Sequence, residues 1–158
     1  MTTEFRDGFL VLGKVWRAPV RIHWTTPIVA FLLTGLSFVP GAWLGFLIIV
    51  LVHELGHALV VRSVRAHVLA INVHGFGGTC EWYGDVTAKQ RAMIAWGGVI
   101  AQMVLYAAAR VAAIIVPSWG IFGQLMYTLT ATNFILIVVN LLPIRPLDGA
   151  EAWKLLRR

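Results

Sequence analysis

The chain has 158 residues, 59% of them hydrophobic and 13% charged, with a formal net charge of +6. Soluble domains carry about 25% charged residues, so this composition, with its mean hydropathy of +0.80, excludes an ordinary water-soluble fold and points to a bilayer as the solvent. The single cysteine, Cys80, excludes an intramolecular disulfide and a CxxC site. The basic excess lies beside apolar runs, so it reads as a topology signal and no nucleic-acid partner is expected.

The N-terminal stretch carries Glu4, Arg6 and Asp7 without the basic, apolar and small-residue succession of a cleavable signal. Residues 9–22, interrupted by Gly13 and Pro19, suit a short hairpin or interfacial strand pair. Four apolar stretches follow, at 24–39, 42–61, 92–116 and 121–142, each reaching or approaching the about 20 residues that a crossing helix needs. Pro40-Gly41 and the run Pro117-Ser118-Trp119-Gly120 read as uncharged turns between the outer pairs. Between the second and third stretches, residues 67–83 alternate apolar side chains around Gly75-Phe76-Gly77-Gly78, the pattern of a β-hairpin dipping into the membrane. After Gly149 a short helix leads to Arg157 and Arg158. The expected fold is therefore an all-α membrane protein of about four transmembrane helices, with a small membrane-associated β-hairpin or sheet between the second and third. Residues 1–158 form one integral-membrane domain in this reading.

If the four helices alternate, the N-terminal segment, the central connection and the C-terminus share one side, and twelve of the thirteen Lys and Arg residues fall on it. The positive-inside rule places that side, with both termini, in the cytoplasm of a multi-pass cell-membrane protein. Arg110 is the exception, near the far end of the third stretch, where its side chain can snorkel to the interface. Trp24, Trp43, Trp96 and Trp119 fall near span ends, as interfacial anchors do.

The chemistry is concentrated in His53-Glu54-Leu55-Gly56-His57. In a helix, positions i and i+4 share a face, so both imidazoles of this H-E-x-x-H pattern reach one zinc ion. Ionisable groups inside a span are costly and mark coordination, pairing or a water-filled cavity. A catalytic zinc site takes three protein donors and keeps the fourth position for water; the best third donor is Asp148. It follows Pro143 and Pro146, which break the last helix and allow irregular backbone to line a cavity at membrane depth. His23, His67 and His74 lack metal-ligand spacing and read as interfacial, with His74 the one that a dipping hairpin could bring near the metal.

H-E-L-G-H in one span, with Asn140-Leu141-Leu142-Pro143 leading to Leu147-Asp148-Gly149 at the end of a later one, resembles the site-2 protease family. The resemblance extends over nearly the whole chain, including Arg21-Ile22-His23-Trp24 and the Gly77-Gly78 hairpin. It implies an intramembrane zinc metalloprotease that cleaves transmembrane protein or peptide substrates in the lipid bilayer. One Zn2+ per chain would be held by His53, His57 and Asp148, with Glu54 as the catalytic carboxylate. Asn140 would help to hold substrate or orient the site; the hairpin edge from Val73 to Cys80, with Gly77 and Gly78, either takes substrate by strand addition or only shapes the cavity. The third stretch departs from the pattern: Trp96-Gly97-Gly98-Val99-Ile100-Ala101-Gln102 stands where many relatives have Gly-Pro followed by asparagine, so the resemblance assigns Gln102 no role. No PDZ-like or CBS-like module is recognisable. Two other readings stay open: a metal-ion or proton carrier, which the lack of a repeated half disfavours, and a non-catalytic binder of membrane helices, which would not need Glu54.

Overall fold

The computed structural model describes residues 5–6, 8–116 and 118–156. Glu4, Asp7, Pro117, Arg157 and Arg158, and the side chain of Arg6, lie outside the described residues. The chain opens with a short strand β1 (Phe5–Arg6), β2 (Phe9–Val15) and β3 (Ala18–His23). Helix α1 (Thr25–Leu33) follows, then the long helix α2 (Pro40–Ser63). Strands β4 (His67–His74) and β5 (Gly77–Tyr83) precede a second long helix, α3 (Ala88–Ala112). The last apolar stretch is α4 (Gly120–Tyr127), a π-helical turn at Thr128–Thr132 and α5 (Asn133–Asn140), before a short α6 (Gly149–Ala152) and a 3-10 turn at Trp153–Leu155.

Among the described residues three helices, not four, are long and apolar enough to cross a membrane: Pro40–Ser63, Ala88–Ala112 and Gly120–Asn140. The expected first span is corrected to α1, whose 9 residues reach about 14 Å at 1.5 Å per residue, half of a hydrocarbon core of about 30 Å. Its stop is local. Gly35 and Leu36 adopt φ of 65° and 61°, and consecutive left-handed residues cannot continue a right-handed helix. Pro40-Gly41 is accordingly the first turn of α2 and not a connection, proline at a helix start giving up no hydrogen bond.

The strands form one five-stranded mixed sheet in the order β1-β2-β3-β4-β5. Thus the hairpin expected between the long helices is joined by the N-terminal pair, β3 running parallel to β4 with Ile22 opposite Val73. Trp16 and Arg17 make the β2–β3 turn with φ of 50° and 73°, the double positive φ of a type I′ turn. Arg62, near the end of α2, lies 4.7 Å from the Trp16 ring centroid and pins that turn to the helix by a cation–π contact. The end of β4 and the β4–β5 turn are tied to the first turn of α1: Thr26 donates to the Val73 carbonyl at 3.3 Å and the Gly75 N–H to Thr25 at 3.4 Å.

Helix α3 begins with a reciprocal capping box between Thr87 and Gln90 and packs lengthwise on α2. At the crossing Gly56 and Gly97 face each other so closely that a Cβ on either would strike the other's carbonyl oxygen. Small residues that let backbones approach are the usual means of joining helices in lipid, where apolar burial supplies little drive.

Candidate metal centre

His53, Glu54 and His57 are buried on α2, on the side facing α3 and the β4–β5 hairpin. The imidazoles are oriented from behind. His53 Nδ1–H donates to Gln102 Oε1 at 3.0 Å, and His57 Nδ1–H to the Ile94 carbonyl at 2.7 Å, both acceptors being on α3. Because an oxygen can only accept, each ring carries its proton on Nδ1 and turns the Nε2 lone pair forward.

The third group arrives from the chain's other end. After α5 the backbone is irregular around Pro143 and Pro146, and Gly149 presses on the Leu141 and Leu142 carbonyls where a Cβ has no room. Trp153 Nε1–H donates to the Leu141 carbonyl at 2.6 Å, and Trp96 Nε1–H to the Ala152 carbonyl at 3.0 Å, with the two indoles edge to face at 5.5 Å. This clasp fixes the loop that carries Asp148. Its Oδ2 lies 2.9 Å from His53 Nε2 and 3.3 Å from His57 Nε2, while the two Nε2 atoms are 3.0 Å apart.

Those three atoms fit zinc. Donors about 2.0 to 2.1 Å from one tetrahedral ion are about 3.3 Å from one another, close to the observed edges of 2.9, 3.0 and 3.3 Å. Two imidazole lone pairs converging on a carboxylate oxygen also match the chemistry of the ion. Space for them depends on Gly98, whose Cβ would lie 2.5 Å from His57 Nε2 and 2.7 Å from His53 Cε1. Replacing Gly98 with alanine should therefore reduce zinc content on the order of ten-fold, the scale of other changes beside a metal ligand; metal analysis of the purified variant checks this.

The donors open into a cavity of about 630 Å³ whose wall includes Glu54, Gly77, Gly78, Asn140 and Arg91. Glu54 is packed against β5: a Cβ on Gly78 would lie 2.5 Å from its Cγ and 2.6 Å from Oε1. A glycine here brings strand backbone onto the carboxylate. Asn140 donates from Nδ2 to Gln102 Oε1 at 3.3 Å. β5 is the last strand of the sheet, so among the described residues its outer edge is unpaired beside the cavity.

Every sequence-derived site residue thus lines one cavity. The sequence reading missed Gln102, Gly98 and the Trp96–Trp153 clasp; Trp96, read as an interfacial anchor, is instead part of the clasp. His74 is not among the converging donors. It lies beside His23 and Phe9, with ring centroids at 5.5 and 5.3 Å, and burial together with His23 lowers its pKa against the pull of Glu81. Burial, with Glu54 and Glu81 adding to it, pushes the Cys80 thiol up to about 12. Scarce thiolate makes a poor nucleophile, so maleimide at pH 7 should modify Cys80 slowly in the folded protein and fully after denaturation, as read by intact mass.

Fold and site together define a membrane protein with an H-E-x-x-H donor cluster set inside its helices. No family model matches the chain, but individual proteins do. It is 29% identical over 168 aligned residues, covering 92% of the chain, to Rip3, a candidate zinc metalloprotease of Mycobacterium tuberculosis. It is 34% identical over 118 residues, 73% of the chain, to stage IV sporulation protein FB of Bacillus subtilis. The chain spans only 42% and 40% of these two proteins' lengths. Its fold matches the site-2 protease from Methanocaldococcus jannaschii with a TM-score of 0.74 at 22% identity, covering 94% of this chain and 71% of that one. These relatives and this fold support a place for the chain in the site-2 protease family.

Proposed function

We propose that the chain is an intramembrane zinc metalloendopeptidase that hydrolyses peptide bonds within or near the transmembrane segments of membrane proteins. The observation that carries this reading is the meeting of His53, His57 and Asp148 beside Glu54, in a cavity bordered by an unpaired strand. His53, His57 and Asp148 would hold one zinc ion. When bound, zinc polarises the scissile carbonyl and lowers the pKa of water to about 7. Glu54, shielded by α2 and β5, accepts the proton of the attacking water and returns it to the leaving amine. Asn140 holds the substrate backbone next to the donors.

A substrate helix hides its own carbonyls in hydrogen bonds, so it must unwind before attack. The exposed edge of β5 at Gly77 and Gly78 receives the unwound segment as an added strand, main-chain hydrogen bonds giving affinity for many sequences. A proline scan from Thr79 to Trp82 tests this, Gly78 being left in place because a side-chain carbon there strikes Glu54. Where the replaced N–H points away from β4, cleavage should fall about ten-fold, the scale of one or two lost hydrogen bonds, with zinc content unchanged. Equal cleavage across the scan would remove strand addition.

The sheet, the α2–β4 and β5–α3 junctions and the end of α5 lie at one end of the helices and carry most of the basic residues; α1 with residues 34–39 takes the chain from β3 to the far end of α2, so both termini are assigned to the cytoplasm although only three helices are long enough to cross. Water then enters the cavity from that side. The decisive experiment is cleavage of a model transmembrane peptide by the purified chain. Chelation should abolish it and added zinc restore it; cleavage that survives a metal-free preparation would overturn the reading.

A further inference from the structure

Gln102 is 1% exposed, on the face of α3 turned to both α2 and α5. A buried amide inside a span is expensive unless its groups are used, and the oxygen of this one is used twice. It accepts from His53 Nδ1 at 3.0 Å and from Asn140 Nδ2 at 3.3 Å. The backbone carbonyl of the same residue accepts from Asn133 Nδ2 at 3.1 Å. Two asparagines of α5 and one metal donor of α2 are therefore referred to a single residue of α3.

We propose that Gln102 is a positioning residue of the metal centre, one carbonyl oxygen setting both the imidazole of His53 and the amide of Asn140. The proposal rests on the zinc-protease reading above. His53 Nδ1 has no other partner among the described residues, so without this acceptor the ring can rotate about its Cβ–Cγ bond and withdraw Nε2 from Asp148. The same loss frees Asn140 Nδ2 and turns its amide. His57 is held independently by the Ile94 carbonyl, so the defect falls on one of the two imidazoles. The glutamine side chain is long enough to reach from α3; an asparagine here ends one methylene short of both donors.

The test is zinc affinity, measured by competition with a chromophoric chelator on protein in detergent, together with the visible spectrum of the cobalt-loaded protein. Gln102→Leu removes the acceptor at nearly constant volume, Gln102→Asn withdraws it, and Gln102→Glu keeps an oxygen that accepts from both donors. Leu and Asn should each weaken zinc binding about 10- to 100-fold, the range for lost partners of metal ligands, and alter the cobalt spectrum. Glu should keep the parent spectrum and bind at least as tightly. If the Leu variant does not assemble, the Asn variant carries the same expectation. Binding by the Leu or Asn variant within about two-fold of the parent, outside the range for such partners, or a Glu variant as weak as Leu, overturns the positioning role. Asp148→Ala in the same titration separates the two readings: a parent that binds zinc no better than this variant fails as a zinc enzyme, whereas a parent that binds well while Leu equals it fails only the Gln102 proposal.

Discussion

Glu54→Gln is expected to lower cleavage of a transmembrane substrate by about 10²- to 10⁴-fold, the usual worth of a positioned general acid–base group, while zinc content stays at the parent level. The two halves of that result are separable because Glu54 is not one of the converging donors. Glutamine has nearly the same shape, so the packing of the side chain against Gly78 is preserved and only its proton-accepting capacity is lost. Cleavage rate and metal analysis on one preparation check it. A carrier for metal ions would show the opposite sensitivity, with transport tied to the donors and no peptide cut. A variant that still cleaves at the parent rate would remove Glu54 from the chemistry.

Asp148→Ala carries the second large effect. With only His53 and His57 left, the donor set drops from three to two, and loss of a donor should cost more than the 10- to 100-fold in affinity seen when only a partner of a ligand is removed, by roughly a further order of magnitude. The expected outcome is protein without zinc after dialysis and no detectable cleavage. The fold should persist, because the loop is anchored by Trp153 on the Leu141 carbonyl and Trp96 on the Ala152 carbonyl, neither of which involves the carboxylate. Helical content by circular dichroism therefore stays near the parent while metal is lost. Zinc retained in full would show that the ion is held elsewhere.

The meeting of His53, His57 and Asp148 was legible because its signal is local or chemical. Two histidines one turn apart in an apolar helix leave few uses, and an aspartate after two prolines is conspicuous at the end of a span. The three long helices, the hairpin at 67–83 and the N-terminal strand pair were legible from runs and alternation. What failed had a long-range or backbone cause. Trp24 to Val39 is as apolar as a span, and only the paired left-handed residues Gly35 and Leu36 end its helix early. Trp16-Arg17 has none of the glycine or asparagine that announces a type I′ turn, and Arg62 across the interface compensates. The parallel pairing of β3 with β4 depends on strands separated by α1 and α2, which no periodicity encodes. Gln102 looked like a departure from a motif because its two partners are remote in sequence.

The clasp and the parallel pairing have a bearing on biogenesis. The two imidazoles stand in the first third or so of the chain, whereas the carboxylate that meets them follows α5, on the loop that the two indoles hold. A chain that has emerged as far as His53 and His57 still lacks Asp148, so the three-atom cluster can assemble only once α5 and the segment after it are complete.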